Sequence, residues 1–223
     1  MSRITSIALV LLIGSNAGFA RDYGDVDKVN GGISIEDNST AGTLETVNGG
    51  ISVGDNVRAH ALETVNGGIK VGANTQVGLI ETVNGGINVG RRSVVSGNVE
   101  AVNGGVRLHA GAKVHGRVEN VNGGVTAIAS TIGGGIGTVN GEIVLDQGTQ
   151  VRGGIHVEKP RGWGNLIQFG DSKPPRVVIG RNSIVQGELR FDREVRLYVH
   201  QTARIGRVTG ATATPYNTDE APR

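Results

Sequence analysis

The tetrapeptide Val-Asn-Gly-Gly recurs along the chain at an almost constant interval, and this repeat constrains the fold more than any other feature. The intervals between successive copies are 18, 18, 18, 19 and 19 residues, and a VNGE variant follows after 18 more. A period so nearly fixed indicates a repeat architecture in which each copy contributes one structural unit. The copies start at Val29, Val47, Val65, Val83, Val102, Val121 and Val139.

A second period of six residues divides each repeat into three parts. Apolar side chains recur at every sixth position, for example at Ile35, Ala41, Val47 and Val53. Within one part, as in Ile69-Lys70-Val71, apolar and polar residues alternate with the period of a half-buried strand. No stretch after residue 20 keeps the 3.6-residue apolar period of a helix. The sequence therefore predicts an all-β, single-stranded parallel β-solenoid with about ten triangular coils of 18–19 residues.

The two intervals of 19 residues need one extra residue each, which the six-residue phase places after Val95 and after Val114. We expect a bulge at a corner to absorb each insertion. The Asn-Gly pair of every repeat is predicted to form a corner, because both residue types accept a positive φ.

Equivalent residues of successive coils are expected to stack into ladders about 4.8 Å apart. In a buried or half-buried asparagine ladder, each side-chain amide can pair with the next. The predicted ladder comprises Asn30, Asn48, Asn66, Asn84, Asn103, Asn122 and Asn140.

The repeat occupies only part of the chain. Residues 1–20 read as a secretory signal peptide, with Arg3 before an apolar run and Gly18-Phe19-Ala20 as a cleavage site. We expect solenoid coils at 21–157, an extruded loop at 158–175 that contains Trp163, further coils at 176–210 and a disordered tail at 211–223. With 38 Gly and 3% aromatic residues, the interior is expected to hold small and β-branched side chains.

The segment VVIGRNSIVQGELRFDREVRLYVHQTARIGRV at 177–208 resembles the bactofilin family of bacterial polymer-forming scaffolds. Its recurring unit is a small apolar residue, a polar residue and a Gly before an alternating strand, as in Val185-Gln186-Gly187-Glu188-Leu189. The coils at 29–141 also resemble the VNG-type repeats of bacterial adhesin domains. The resemblance implies a right-handed β-helix that associates end to end. The six-residue period also suits a left-handed β-helix of the hexapeptide acyltransferase type, so the hand stays open, with the right hand favoured.

An acidic ladder is the most specific surface feature, because a Glu precedes the repeat Val by two residues in five coils. These residues are Glu45, Glu63, Glu81, Glu100 and Glu119. Such a row is either a solvated face with screened repulsion or a site for divalent cations, which prefer oxygen ligands. The five histidines do not recur at 18 or 19 residues and are predicted to lie singly on the surface, so no metal site and no cofactor is expected.

Positive charge accumulates toward the C-terminus: residues 21–101 carry six basic and ten acidic side chains, whereas 102–223 carry fifteen and ten. A basic cluster there is a candidate surface for self-association or for an envelope polysaccharide. It comprises Arg190, Arg193, Arg196, Arg204 and Arg207. Nucleic acid is not expected, because the chain carries an export signal and lacks interleaved aromatic residues.

These observations predict a non-enzymatic structural or assembly protein that is exported to the periplasm or the exterior and self-associates through its ends or ladders. One alternative is an adhesin or polysaccharide-binding module in which Trp163 stacks on a sugar. A second is a polysaccharide lyase or hydrolase that uses Asp171 and Arg176. The apolar run at 7–13 is too short to remain as a membrane anchor, and no transmembrane span is expected in the mature chain.

Overall fold

The described chain is a stack of parallel β-strands wound into a solenoid of about ten coils. The computed structural model describes residues 21–160 and 174–221, and no helix occurs within these ranges. The predicted all-β solenoid is therefore confirmed. The expected signal peptide and most of the expected loop, including Trp163 and Asp171, lie outside the described residues.

Each coil contributes to three faces, as predicted for a triangular cross-section. Face A is a ten-stranded parallel sheet with one strand from every coil. Its strands are β2 (Ile33–Ile35), β4 (Ile51–Val53), β6 (Ile69–Val71), β8 (Ile87–Val89), β11 (Val106–Leu108), β14 (Val125–Ile128), β17 (Ile143–Asp146), β20 (Arg176–Ile179), β23 (Arg196–His200) and β26 (Ala213–Tyr216).

Faces B and C are the two arms of a second, 16-stranded sheet. Three long strands run through the corner and belong to both faces: β3 (Thr40–Asn48), β5 (Arg58–Asn66) and β7 (Gln76–Asn84). Face B continues with β9 (Val94–Val95), β12 (Lys113–Val114), β15 (Thr131–Ile132), β18 (Gln150–Val151), β21 (Ile184–Val185) and β24 (Arg204–Ile205). Face C consists otherwise of β1 (Val26–Asn30), β10 (Val99–Asn103), β13 (Val118–Asn122), β16 (Ile136–Thr138), β19 (Ile155–Val157), β22 (Leu189–Phe191) and β25 (Val208–Thr209).

The register locates the extra residue where the sequence predicts it, at the corner between faces B and C. Val77 pairs with Val95 at an offset of 18 residues, whereas Ile80 pairs with Val99 at an offset of 19. The insertion therefore lies between Val95 and Val99. It divides the long strand of the earlier coils into two short ones and leaves the stack intact on both sides.

The core is a continuous column of Ile, Val and Leu side chains inside the coils. Strand alternation generates it: in β4, Ile51 and Val53 are buried and Ser52 is exposed. The six-residue apolar series is not buried throughout, however. Val53 is 2% exposed, but Val47 is 41% exposed, because the preceding Thr46 takes the inward position and donates its hydroxyl to the Gly31 carbonyl at 3.0 Å.

The positive φ that the sequence predicts at the Asn-Gly corners occurs at three glycines, Gly31, Gly104 and Gly123, whereas other corners require glycine for close packing. A Cβ at Gly49 or Gly67 would overlap the glycine carbonyl of the preceding coil. None of the ladder asparagines has a positive φ. The left-handed asparagines lie instead at the corner between faces A and B, where Asn38, Asn56 and Asn74 have φ of 56°, 57° and 55°.

The C-terminal tail differs from the disordered segment that the sequence predicts from residue 211. Ala213–Tyr216 forms β26 and pairs in parallel with β23. Tyr216 is 8% exposed, and its ring meets the His200 ring edge-on with centroids 5.0 Å apart. The physical reason is that the unsatisfied edge of β23 and the apolar end of the core accept one more strand.

The coil resumes after the segment 158–175, which the sequence predicts as a loop, without losing its register. Val157 ends β19, and β20 begins at Arg176 and pairs with β17. The interruption of the repeat therefore falls between a strand of face C and a strand of face A. The part of the chain that the structure describes contains no helix long and apolar enough to cross a membrane.

Candidate functional site

The seven repeat asparagines form one continuous hydrogen-bonded ladder along the edge of face C. The side-chain amide of Asn48 donates to the carboxamide oxygen of Asn30 at 3.1 Å, and the same bond links every following pair at 2.9–3.0 Å. The ladder is exposed and not buried, because the side chains project outward from the corner.

The five glutamates of the repeat stack on adjacent rungs of face C, as the sequence predicts. The register extends this carboxylate ladder by one rung, because Asp27 pairs with Glu45. At the other end, Glu119 pairs with Gly137, which is followed on the same column by His156 and Arg190. Six consecutive carboxylates thus form one strip that ends abruptly in the middle of the rod.

The carboxylates inside the strip disfavour one another's charge. Burial, and then the neighbouring Glu100 and Glu63, raise the pKa of Glu81 above its usual value. Two rungs have local partners: Arg117 Nε lies 2.7 Å from Glu119 Oε1, and Asn98 donates to Glu100 at 3.1 Å. The strip therefore carries unbalanced negative charge over most of its length.

The repeat valines form a second exposed ladder, which the sequence analysis missed. Val29 is 67% exposed, and the next five valines are 38–41% exposed. They lie on the same outer surface as the glutamates, two residues further along each strand. The alternation Leu44-Glu45-Thr46-Val47 contains the signal: Leu44 and Thr46 point inward, so Glu45 and Val47 must both point outward.

A groove of about 690 Å³ runs along face C between these two ladders. The carboxylate ladder lines one side, the valine ladder lines the other, and the intervening Thr46 column lies between them. It extends from Asp27 at the N-terminal end to Glu158. We call this surface the Glu/Val groove. It combines an apolar strip with a parallel row of negative charges, an arrangement suited to a cationic and partly apolar occupant.

The basic residues of the C-terminal coils do not form the single cluster considered in the sequence analysis. Arg190 lies on face C, where its Nε donates to Asp192 at 2.9 Å, and Arg193 reaches Asn140 at 2.6 Å on the asparagine ladder. Arg196 begins a strand of face A, and Arg204 begins one of face B. Arg207 occupies the corner before β25.

The histidines also lie apart. His156 contacts Asp192 at 2.7 Å, and together with Arg190 it lowers the pKa of that carboxyl group. His200 is not on the surface as predicted but is 6% exposed, because β26 covers it. Among the described residues, no group of three or more His, Cys, Asp or Glu side chains is arranged to hold a metal ion.

Of the residues considered for glycan chemistry, Trp163 and Asp171 lie outside the described residues, and only the surroundings of Arg176 can be described. Arg176 lies 2.6 Å from Glu142, and Arg181 lies 2.5 Å from Asp219. Both arginines are therefore engaged in ion pairs on the side of the rod.

No protein-family model matches the chain, and neither a curated protein nor a solved structure matches it. The fold and the candidate surfaces are therefore defined by strand register and side-chain geometry alone.

Proposed function

We propose that this protein is a non-enzymatic, exported structural scaffold that associates head to tail through the two ends of its solenoid. The observation that carries the proposal is a match of charge between the first and last coils on two separate columns. The proposal agrees with the end-to-end association that the resemblance to bactofilins implies.

The first column runs along face B and starts with an acid and ends with a base. Asp22 bridges to Thr40 in the next coil, and the parallel register continues from rung to rung until Ile184 pairs with Arg204. Both terminal side chains are exposed. A second molecule that continued this column would place its Asp22 on the Arg204 rung of the first.

The second column has the same arrangement at the corner between faces B and C. Val26 and Val208 are the first and last rungs of one inward column. Asp25 immediately precedes Val26, and Arg207 immediately precedes Val208. Continuation of the stack therefore brings Asp25 onto Arg207. At a coil spacing of about 4.8 Å, each such pair attracts by about 1 kcal/mol in water and by more when it is shielded from solvent.

Both ends also offer strand edges for pairing. β1 and β2 each pair with a strand on one side only, and so do β24, β25 and β26. Unpaired edges are templates for another chain. Of the described tail residues, Asp219 and Ala221 contact Arg181 and Arg176 on the side of the rod and so do not cover its end.

The two ends are different surfaces, so their contact is heterologous and generates an open filament. Mature protein starting at Arg21 is expected to show a molar mass that rises with concentration in light scattering, and thin filaments in electron microscopy. A protein that stays monomeric up to millimolar concentration at low salt would refute the proposal.

Charge reversal tests the predicted contacts directly. Arg204→Glu/Arg207→Glu makes both ends acidic, and Asp22→Arg/Asp25→Arg makes both ends basic, so each variant alone is expected to remain monomeric. An equimolar mixture is expected to assemble again, because each acidic end then meets a basic one. Since Asp25 accepts a hydrogen bond from the Thr43 amide at 2.7 Å, thermal unfolding must first show that the variant folds. Failure of two folded variants to complement each other would contradict head-to-tail stacking.

A further inference from the structure

We infer that the Glu/Val groove binds a cationic amphipathic α-helix of a partner protein. This inference concerns the lateral face of the rod and does not depend on the proposed assembly of its ends.

The groove offers two different strips to one occupant. Outward residues two apart on a strand are about 6.6 Å apart along the chain, so Glu63 and Val65 are presented side by side. A helix about 10 Å wide can cover both at once. It would lay apolar side chains over the valine ladder and extend Lys or Arg side chains over the carboxylate ladder.

The negative charge of the groove predicts a positively charged occupant. Asp27 and the five glutamates line the groove, and the cations among its lining residues are Lys28 and Arg117. Arg117 is already paired with Glu119. An anionic polymer, such as an acidic polysaccharide, would be repelled by this surface. Burial and, after it, repulsion from Glu100 and Glu63 raise the pKa of Glu81, and a cation bound over these three carboxylates would relieve that repulsion.

The axial repeat favours a helix over an extended peptide. Successive rungs of the groove are about 4.8 Å apart. One helical turn advances about 5.4 Å, whereas one two-residue step of an extended strand advances about 6.6 Å. The mismatch per rung is therefore about 0.6 Å for a helix and about 1.8 Å for a strand. Flexible Lys and Arg side chains of a helix can compensate for this smaller mismatch over several rungs.

The length of the acidic strip sets the size of the partner. From Asp27 to Glu119 there are five coil intervals, or about 24 Å, which corresponds to a helix of about 16 residues. Gly137 and His156 replace the carboxylates beyond this point. The helix is therefore expected to cover the N-terminal six coils and not the whole rod. Apolar anchors at i, i+3, i+4 and i+7 are the usual signature of such a helix in a groove.

Two synthetic peptides test the inference. Both are 18-residue peptides of Leu and Lys with identical composition. The first spaces its leucines at i, i+3, i+4 and i+7, and the second alternates Leu and Lys. The helical-period peptide is expected to bind the mature protein at least tenfold more tightly than the alternating one, measured by calorimetry at low salt. Its helical circular dichroism is expected to increase on binding. Equal affinity of the two peptides would overturn the inference and indicate nonspecific attraction to negative charge.

Variants locate the binding surface. Glu63→Gln/Glu81→Gln and Val83→Ser/Val102→Ser are each expected to weaken binding of the helical-period peptide at least tenfold. Glu36→Gln/Glu194→Gln removes the same charge outside the groove and is expected to change binding less than twofold. Equal effects of the groove and control variants would refute the assignment.

The same titrations in Arg204→Glu/Arg207→Glu separate this site from assembly. Unchanged binding by this variant would support a lateral site that is independent of the ends. Loss of binding would place the peptide at the ends of the rod and overturn the inference.

Discussion

Asn66 donates its side-chain amide to the carboxamide oxygen of Asn48 at 2.9 Å, across one coil interval. Asn84 in turn donates to Asn66 at 2.9 Å. The two bonds are identical in kind because the register brings the same residue to the same place in every coil. An interior rung of this ladder therefore stabilises two neighbours at once.

Asn66→Ala is expected to lower the free energy of unfolding by about 1–2 kcal/mol, because it removes both bonds. Asn30→Ala is the matched control: Asn30 is the first rung and loses only one bond, so about half the effect is expected. Chemical denaturation measures both values. Equal losses would show that the ladder does not act rung by rung.

Gly67→Ala is expected to destabilise the protein by about 1–3 kcal/mol, because the new Cβ would overlap the Gly49 carbonyl and force the corner apart. Gly137→Ala is the control, since the nearest atoms to its Cβ are side-chain atoms 3.8 Å away. Thermal unfolding of the control is expected to stay near that of the unmodified protein. A larger loss for Gly137→Ala would contradict this account of the corner.

Ala101→Thr is expected to stabilise the protein by up to about 1 kcal/mol. Ala101 occupies the column in which Thr64 and Thr82 donate their hydroxyls to glycine carbonyls of the preceding coil at 2.8 and 2.9 Å. A threonine at position 101 can make the same bond to Gly85. Ala101→Val adds similar volume without the hydroxyl, so the difference between the two variants in denaturant unfolding isolates the hydrogen bond. The absence of any difference would contradict the prediction.

The carboxylate ladder is expected to weaken the fold as the pH rises. Burial and the neighbouring carboxylates raise the pKa of Glu81 in the folded protein. Its contribution to stability is therefore fully present below the unfolded Glu pKa of about 4.3 and is lost as the pH rises through the folded-state value. Glu81→Gln is expected to be more stable than the native protein at neutral pH, by less than about 1 kcal/mol. Unfolding experiments from acid to neutral pH should show that the higher stability of Glu81→Gln disappears at acid pH.

The substitution Asp192→Asn is expected to change stability with the opposite pH dependence. Hydrogen bonds from His156, and then from Arg190, lower the pKa of Asp192. Its contribution is present above the unfolded Asp pKa of about 3.9 and is lost as the pH falls through the folded-state value. The variant is expected to be less stable than the native protein at neutral pH and to approach it in acid. A parallel pH profile for the Glu81 and Asp192 variants would contradict both assignments.

The period of the repeat was sufficient to predict the coil, its three faces and the position of the inserted residue after Val95. Those features depend on spacing, which the sequence displays directly. The outward direction of Val47 follows from the strict alternation from Leu44, whereas its apolar character alone predicts an inward direction. The left-handed corner at Asn38, Asn56 and Asn74 was also readable as an 18-residue recurrence.

The charge match between the ends could not be read from the chain in the same way. Between Asp22 and Arg204 the column passes the segment 158–175, where the spacing of 18 residues between equivalent positions is lost. Only the observed pairing of β20 with β17 shows which residues after this segment are equivalent to those before it. The added strand at Ala213–Tyr216 was missed for a related reason: ATPY has no apolar alternation, and the edge of β23 supplies the order.

Among the described residues, strand pairing joins only neighbouring coils, so no strand pair links the two ends of the rod. Whole units of 18 residues can therefore be duplicated or deleted within the gene while every remaining junction keeps its partners. Copy number, and with it the length of the molecule, is free to vary among descendants without any redesign of the interior.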